Sequence, residues 1–295
     1  MPYAAANGIE LFYDTVGDPA DPTILLVNGL GTQLISWRDE LCEVLAGRGF
    51  QVVRFDNRDV GLSTHIDQPV EKGTVAAAAR GDHPPAAPYV LDDMADDAIG
   101  LLDHLGVGAA HVVGVSMGGM IAQTLAIRHP ARVLSLTSIM STTGEPEVGT
   151  PAPRAFSELM APPPDSREAA QEAAVRNARV WGSPGLYDEQ EARALAAAAW
   201  DRDHDAAGTA RQLLAIMASG SRAEALAQLT VPTLVIHGTA DTLMQPSGGE
   251  RTAELVPDAT LLLVEGMGHD LARPLWPRIV DAIARHAHEH AAASS

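Results

Sequence analysis

Short apolar runs, bounded by glycine and proline and separated by longer amphipathic stretches, set the pattern of this chain. Thr23 to Val27, Val52 to Phe55, Val133 to Ile139, Thr233 to Ile236 and Leu261 to Val264 are leucine-rich or β-branched, as parallel strands buried on both faces are. Ala110 to Val115 reads the same way, and Ile9 to Tyr13 reads as a short edge strand. Between them, Trp37 to Arg48, Asp92 to Leu105, Met117 to His129 and Trp276 to about His288 carry helical patterns. Strand and helix alternate, which predicts an α/β class with a doubly wound, mostly parallel sheet.

Two stretches break the alternation. Thr64 to Pro88 is irregular, with Gly73, Gly81 and Pro84-Pro85. Ser141 to about Gly220 opens with Pro146, Pro151, Pro153 and Pro162-Pro163-Pro164 and continues as three alanine-rich helical patterns. A compact sheet does not need so long a detour. The expected organisation is therefore a core domain of residues 1–140 and 221–295 with a helical cap inserted at 141–220. The cap is expected to set substrate scope and to add nothing to the bond-breaking machinery.

Composition removes several classes of function. A net charge of −18 repels nucleic acid and anionic membrane surfaces, although acidic surfaces also simply keep proteins soluble. No long uninterrupted apolar stretch predicts a membrane span. The first residues lack the basic head and apolar core of a signal peptide, so the expected compartment is the cytoplasm. With Cys42 as the only cysteine, no internal disulfide or multi-cysteine metal site is expected. Lys72 is the only lysine, which leaves Schiff-base and P-loop chemistry poorly supplied. His286, His288 and His290 read as a solvated helix end rather than a metal site.

The richest chemical signal is Gly114-x-Ser116-x-Gly118, set between the Ala110–Val115 run and the helical run that starts at Met117. In a chain with 26 glycines the pattern alone says little; between a buried strand and a helix it reads as a nucleophile elbow. Asn28-Gly-Leu-Gly31, Phe55-Asp-Asn-Arg-Asp-Val-Gly-Leu-Ser63, His237-Gly-Thr-Ala-Asp241 and Gly266-Met-Gly-His269 complete a set whose order and spacing resemble the α/β-hydrolase superfamily over nearly the whole chain. Within it, the chain most resembles actinobacterial serine esterases, the mycobacterial Lip-type carboxylesterases and the aclacinomycin methylesterase group.

That resemblance implies an α/β-hydrolase fold and a serine carboxylesterase acting on a small-molecule ester without cofactor or metal. Ser116 would be the nucleophile, His269 the base and Asp241 the acid that orients it. Backbone N–H groups of Met117 and Leu30 would form the oxyanion hole, although relatives commonly carry histidine at Asn28. Glu145 is a rival acid, because some relatives take it from the earlier strand, and Asp270 adjoins the base. Asp56, Arg58 and Ser63 read as structural, and Asp59 stands where relatives often have glycine. Candidate pocket residues are Met140, Met217, Leu243 and Met244, an aliphatic and thioether lining suited to acyl chains, with Trp181 facing it from the cap. Thioester, perhydrolase or carbon–carbon bond hydrolysis remain alternatives on the same triad, and a non-catalytic ligand-binding homologue is the alternative of another class. The oligomeric state is open, a homodimer included.

Overall fold

The computed structural model of the chain describes residues 2–71, 73–80 and 87–291. Eight strands form one sheet: β1 (Tyr3–Ala6), β2 (Ile9–Val16), β3 (Thr23–Val27), β4 (Gln51–Phe55), β5 (Ala110–Val115), β6 (Val133–Ile139), β7 (Thr233–Gly238) and β8 (Thr260–Val264). Their spatial order is β1-β2-β4-β3-β5-β6-β7-β8. β1 and β2, and β2 and β4, pair antiparallel; every other pair is parallel. The α/β class and the doubly wound, mostly parallel sheet are as expected.

Helices cover both faces, which is why the central strands can be apolar throughout. In β3, Ile24 and Leu26 join a core with Leu41 and Leu45 of α1 (Asp39–Ala46) and with Ile279 and Ile283 of α11 (Trp276–Glu289). Leu25 and Val27 join the opposite core with Leu101 of α3 (Leu91–His104) and Ile121 of α4 (Met117–Arg128). The period of two along the strand sends alternate side chains to opposite layers. α9 (Ala223–Leu226) and α10 (Ser247–Leu255) complete the second layer.

Several elements differ from expectation. Ile9–Tyr13 is not an edge, because β1 pairs outside it through the register Tyr3↔Phe12 to Ala6↔Ile9. Its run of alanines carries little strand signal, but Asn7-Gly8, both at positive φ (48° and 80°), is the two-residue hairpin turn that could have revealed it. Within Thr64–Pro88, Thr74–Ala79 forms the short helix α2. Lys72, Gly81, Pro84 and Pro85 lie outside the described residues.

Residues 141–220, between β6 and β7, hold four helices rather than three: α5 (Pro153–Leu159), α6 (Arg167–Trp181), α7 (Glu189–Arg202) and α8 (Ala206–Ser219). Pro153 opens α5 at a position where a missing N–H costs nothing. The other three start at side-chain caps: Ser166 accepts from the Ala169 N–H, Asp188 from Gln190 and Glu191, and Asp205 from Ala207.

One buried group makes the core acid-sensitive. His111 in β5 is 1% exposed; its Nδ1 lies 2.9 Å from Ser135 Oγ, and Nε2 has no hydrogen-bond partner among the described residues. Burial first, then the charges of His286, His288 and His290, push its pKa down to about 4 from 6.5. Between those values the unfolded chain takes up a proton that the folded chain refuses, so stability falls as pH falls. The His111→Gln variant should therefore lose up to about 3 kcal/mol less stability than the wild type between pH 7 and pH 4. Denaturant unfolding at the two pH values measures this; equal losses would remove His111 from the account.

Candidate active site

The sheet reverses its winding between β3 and β5, the place where α/β folds open a crevice beyond the strand ends. The register Val27↔Gly114 sets the Asn28–Gly31 turn and Ser116 side by side there. Ser116 stands at φ 54°, ψ −121°, a strained conformation for a residue with a side chain. Its N–H donates to Ile139 O (2.9 Å), and its carbonyl accepts from the Ser141 hydroxyl (2.8 Å) and the Gly119 N–H (2.9 Å). These bonds hold the turn from three sides. A Cβ on Gly114 would overlap the Gly118 carbonyl, and one on Gly118 would overlap Val27 O, so strand and helix meet this closely only through glycine. Met117 begins α4, where the first N–H groups have no partner within the helix.

Asp241, 3% exposed, follows β7, and His269 follows β8. The Leu243 and Met244 N–H groups donate to Asp241 Oδ1 (2.9 and 2.8 Å), which leaves Oδ2 facing His269 Nδ1 at 2.7 Å. His269 Nε2 lies 3.0 Å from Ser116 Oγ. With its proton on Nδ1, the ring accepts the serine hydroxyl at Nε2. Burial would raise the Asp241 pKa. The His269 charge, with the nearby His237 ring and hydrogen bonds from His269 and the Met244 N–H, outweighs it and holds the carboxyl at about 2. The group is thus ionised at any ordinary pH. His237 Nε2 lies 2.7 Å from Met244 O and 3.6 Å from Asp241 Oδ2, steadying the same loop.

The other acids are engaged elsewhere. Glu145 pairs with Arg251 (3.0 Å) and accepts from the Thr143 hydroxyl (2.8 Å). Asp270 accepts from the Ser183 N–H (3.1 Å) and the Ser183 hydroxyl. Asn28 is 1% exposed; its amide donates to Phe55 O (3.0 Å), and Asn57 donates back to Asn28 O (3.1 Å), which braces the turn. Asp56 accepts from the Leu34 and Leu62 N–H groups, Ser63 donates to Asp56 O (2.6 Å), and Arg58 makes two bonds of 2.6 Å to Asp97. These contacts fit the structural reading of that segment.

Sequence reasoning missed how closely the β6–β7 helices hold these loops. The Trp181 carbonyl, at the end of α6, accepts from the His269 N–H (2.5 Å), and the Val180 carbonyl accepts from the Thr242 hydroxyl (2.7 Å). Gly268 N–H donates to Ser183 Oγ (2.9 Å). Main-chain acceptors leave no trace in a sequence, so no residue pattern could have announced them. Asp59, unassigned above, is fully buried at φ 71° and receives Arg211 of α8 through two bonds (2.9 and 2.8 Å) and the Tyr89 hydroxyl (2.6 Å).

The candidate pocket residues scatter. Leu243 and Met244 adjoin Asp241 through their N–H groups, and Trp181 adjoins His269 through its carbonyl. Met140 is buried in the core with Ile139, Leu234 and Ile236, and Met217 lies half-buried on α8.

The family model described as the alpha/beta hydrolase fold matches residues 22–272. Rhodomycin D methylesterase DauP of Streptomyces sp. (strain C5) is 31% identical, with 94% of this chain and 95% of the relative covered. 3-Oxoadipate enol-lactonase 2 of Acinetobacter baylyi is 26% identical over 88% and 86% of the two chains. The crystal structure of the enol-lactonase from Burkholderia xenovorans LB400 superposes with a TM-score of 0.71 at 27% identity, covering 98% of this chain and 99% of the other. The expected resemblance to methylesterases is borne out, and the chain belongs to the alpha/beta hydrolase family.

Proposed function

We propose that this chain, an ester-bond hydrolase, is a serine carboxylesterase that cleaves small to medium carboxylic esters through an acyl-enzyme. The observation that carries the reading is the unbroken line from Ser116 Oγ through the His269 ring to Asp241 Oδ2, at 3.0 and 2.7 Å. A serine hydroxyl becomes a competent nucleophile when a base takes its proton, and the base needs a carboxylate to hold and stabilise it. Ser116 Oγ attacks the ester carbonyl as its proton passes to His269 Nε2. The tetrahedral oxyanion forms against the Met117 and Leu30 N–H groups. Collapse breaks the bond to the alkoxy oxygen, which leaves as alcohol with the proton from His269. Water, deprotonated by the same nitrogen, then releases the carboxylic acid and restores Ser116. Asp241, held ionised, keeps the ring in the required tautomer and offsets its positive charge in both halves.

The methylesterase and enol-lactonase relatives favour ester chemistry over the thioester, peracid and carbon–carbon alternatives. Residues 141–220 act in this reading as a cap over the site, with Trp181 and Met217 as candidates for contact with the acyl group. Among the described residues no helix is long and apolar enough to cross a membrane.

A fluorophosphonate serine probe tests the proposal. Intact mass should rise by one phosphonyl group, and peptide mapping should place it on Ser116. A p-nitrophenyl ester panel of graded chain length should show turnover lost in step with labelling. Stable turnover with Ser116 fully labelled would sink the mechanism.

A further inference from the structure

We propose that Gln212, a cap residue, is a positioning residue for the oxyanion hole. The inference rests on the reading above, in which the Leu30 N–H is one of the two oxyanion donors. Gln212 lies on α8 and is fully buried, a costly place for an amide unless each end is used. Both ends are used. Its Oε1 accepts the Gly31 N–H at 2.9 Å, and its Nε2 donates to Arg58 O at 2.7 Å.

The turn explains why this matters. The Leu30 N–H shares a peptide plane with the Gly29 carbonyl, which accepts from the Thr32 hydroxyl at 3.0 Å. The following plane, which carries the Gly31 N–H, is fixed from the other side by Gln212. With both planes flanking the Leu30 Cα held, the donor's direction is set before substrate arrives, as electrostatic stabilisation of a developing oxyanion requires. Gly31 itself is at φ 65°, and a Cβ there would meet the Thr209 side chain at 3.0 Å, so α8 sits directly on the turn.

The other end of the bridge is rigid. Arg58 is locked to Asp97 by two 2.6 Å bonds, and the neighbouring Arg211 carries the paired bonds to Asp59. Gln212 thus transmits the seating of the cap to the oxyanion turn, a role that the cap's expected duty of substrate selection alone leaves out.

Gln212→Met keeps the side-chain length and removes both hydrogen bonds. Losing an oxyanion donor outright costs about 10²- to 10³-fold, and a donor left in place but unsteadied should cost about 10- to 100-fold in kcat, with KM changed less than about threefold. The decisive readout is an alkyl trifluoromethyl ketone, which adds to Ser116 and places an oxyanion in the hole, measured beside the methyl ketone of the same chain. The Ki of the trifluoromethyl ketone should rise in proportion to the fall in kcat/KM, and that of the methyl ketone should stay level. Should the methionine variant not fold, Gln212→Asn, one methylene too short to span the gap, should show a smaller loss with the same proportionality. A folded variant that loses stability or activity while the trifluoromethyl ketone Ki stays at the wild-type value would overturn the inference. If the wild type itself shows no preference for the trifluoromethyl ketone, the proposed attack by Ser116 into an oxyanion hole fails instead.

Discussion

Replacing Ser116 by alanine should lower kcat for ester hydrolysis by about 10³-fold or more and leave the protein folded, with the remaining rate supplied by binding and the oxyanion donors. The size follows from chemistry: no acyl-enzyme forms without the hydroxyl, and His269 Nε2 is left with only water to activate. The intact fold follows from the bonds that hold the elbow. Its N–H is anchored on Ile139 O and its carbonyl on the Ser141 hydroxyl, so none of the bonds that hold the backbone turn uses Oγ. Alanine keeps the Cβ that φ 54° already accommodates. Thermal unfolding should therefore remain close to the wild type while fluorophosphonate labelling vanishes. Near-normal turnover in this variant would refute the proposed nucleophile.

Asp241→Asn should be severe as well, about 10⁴-fold in kcat, while Glu145→Gln should stay within about twofold. Asp241 Oδ1 accepts two N–H groups, from Leu243 and Met244. An asparagine there must keep its oxygen on that side, which turns its NH₂ toward His269 Nδ1. The ring then accepts at Nδ1 and carries its proton on Nε2, where it can no longer take the serine proton. The carboxylate that opposes the imidazolium charge is lost as well. Glu145 loses only its pairing with Arg251, at two side chains that stay partly in water, and the hydrogen bond from the buried Thr143 hydroxyl. Steady-state kcat for both variants at pH 7.5 decides the point; a silent Asp241 beside a crippled Glu145 would move the acid to the β6 loop. Because the Asp241 carboxyl sits at about 2, its ionisation adds no step to the pH–rate profile above pH 4.

The sheet was legible because central strands buried on both faces are short runs dominated by leucine and β-branched residues, and β3 through β7 keep that signature around buried polar residues such as Arg54, Ser135 and Ser138. β1 was not, since a run of alanines satisfies a strand without announcing one. Ser116, Asp241 and His269 could be singled out because each follows a strand within a short motif, and they do lie within hydrogen-bond reach of one another. What holds those loops in place was hidden. Gln212 is 181 residues from Gly31, and Arg211 is 152 from Asp59. Contacts at that separation depend on how α8 packs, which no local pattern encodes. The same holds for the Trp181 and Val180 carbonyls, whose positions depend on where α6 ends rather than on which residues end it.

That dependence has a practical side for anyone who wishes to exchange the helices between β6 and β7. The two carbonyls that receive His269 and Thr242 are main-chain groups, so their hold on these loops should not depend on side-chain identity at 180 and 181. It should depend on length. Removing a single residue from α6 rotates whatever follows by about 100° around the helix axis, which would swing the acceptor off the His269 N–H. A chimera is better designed by conserving residue count up to Gly182 than by conserving sequence.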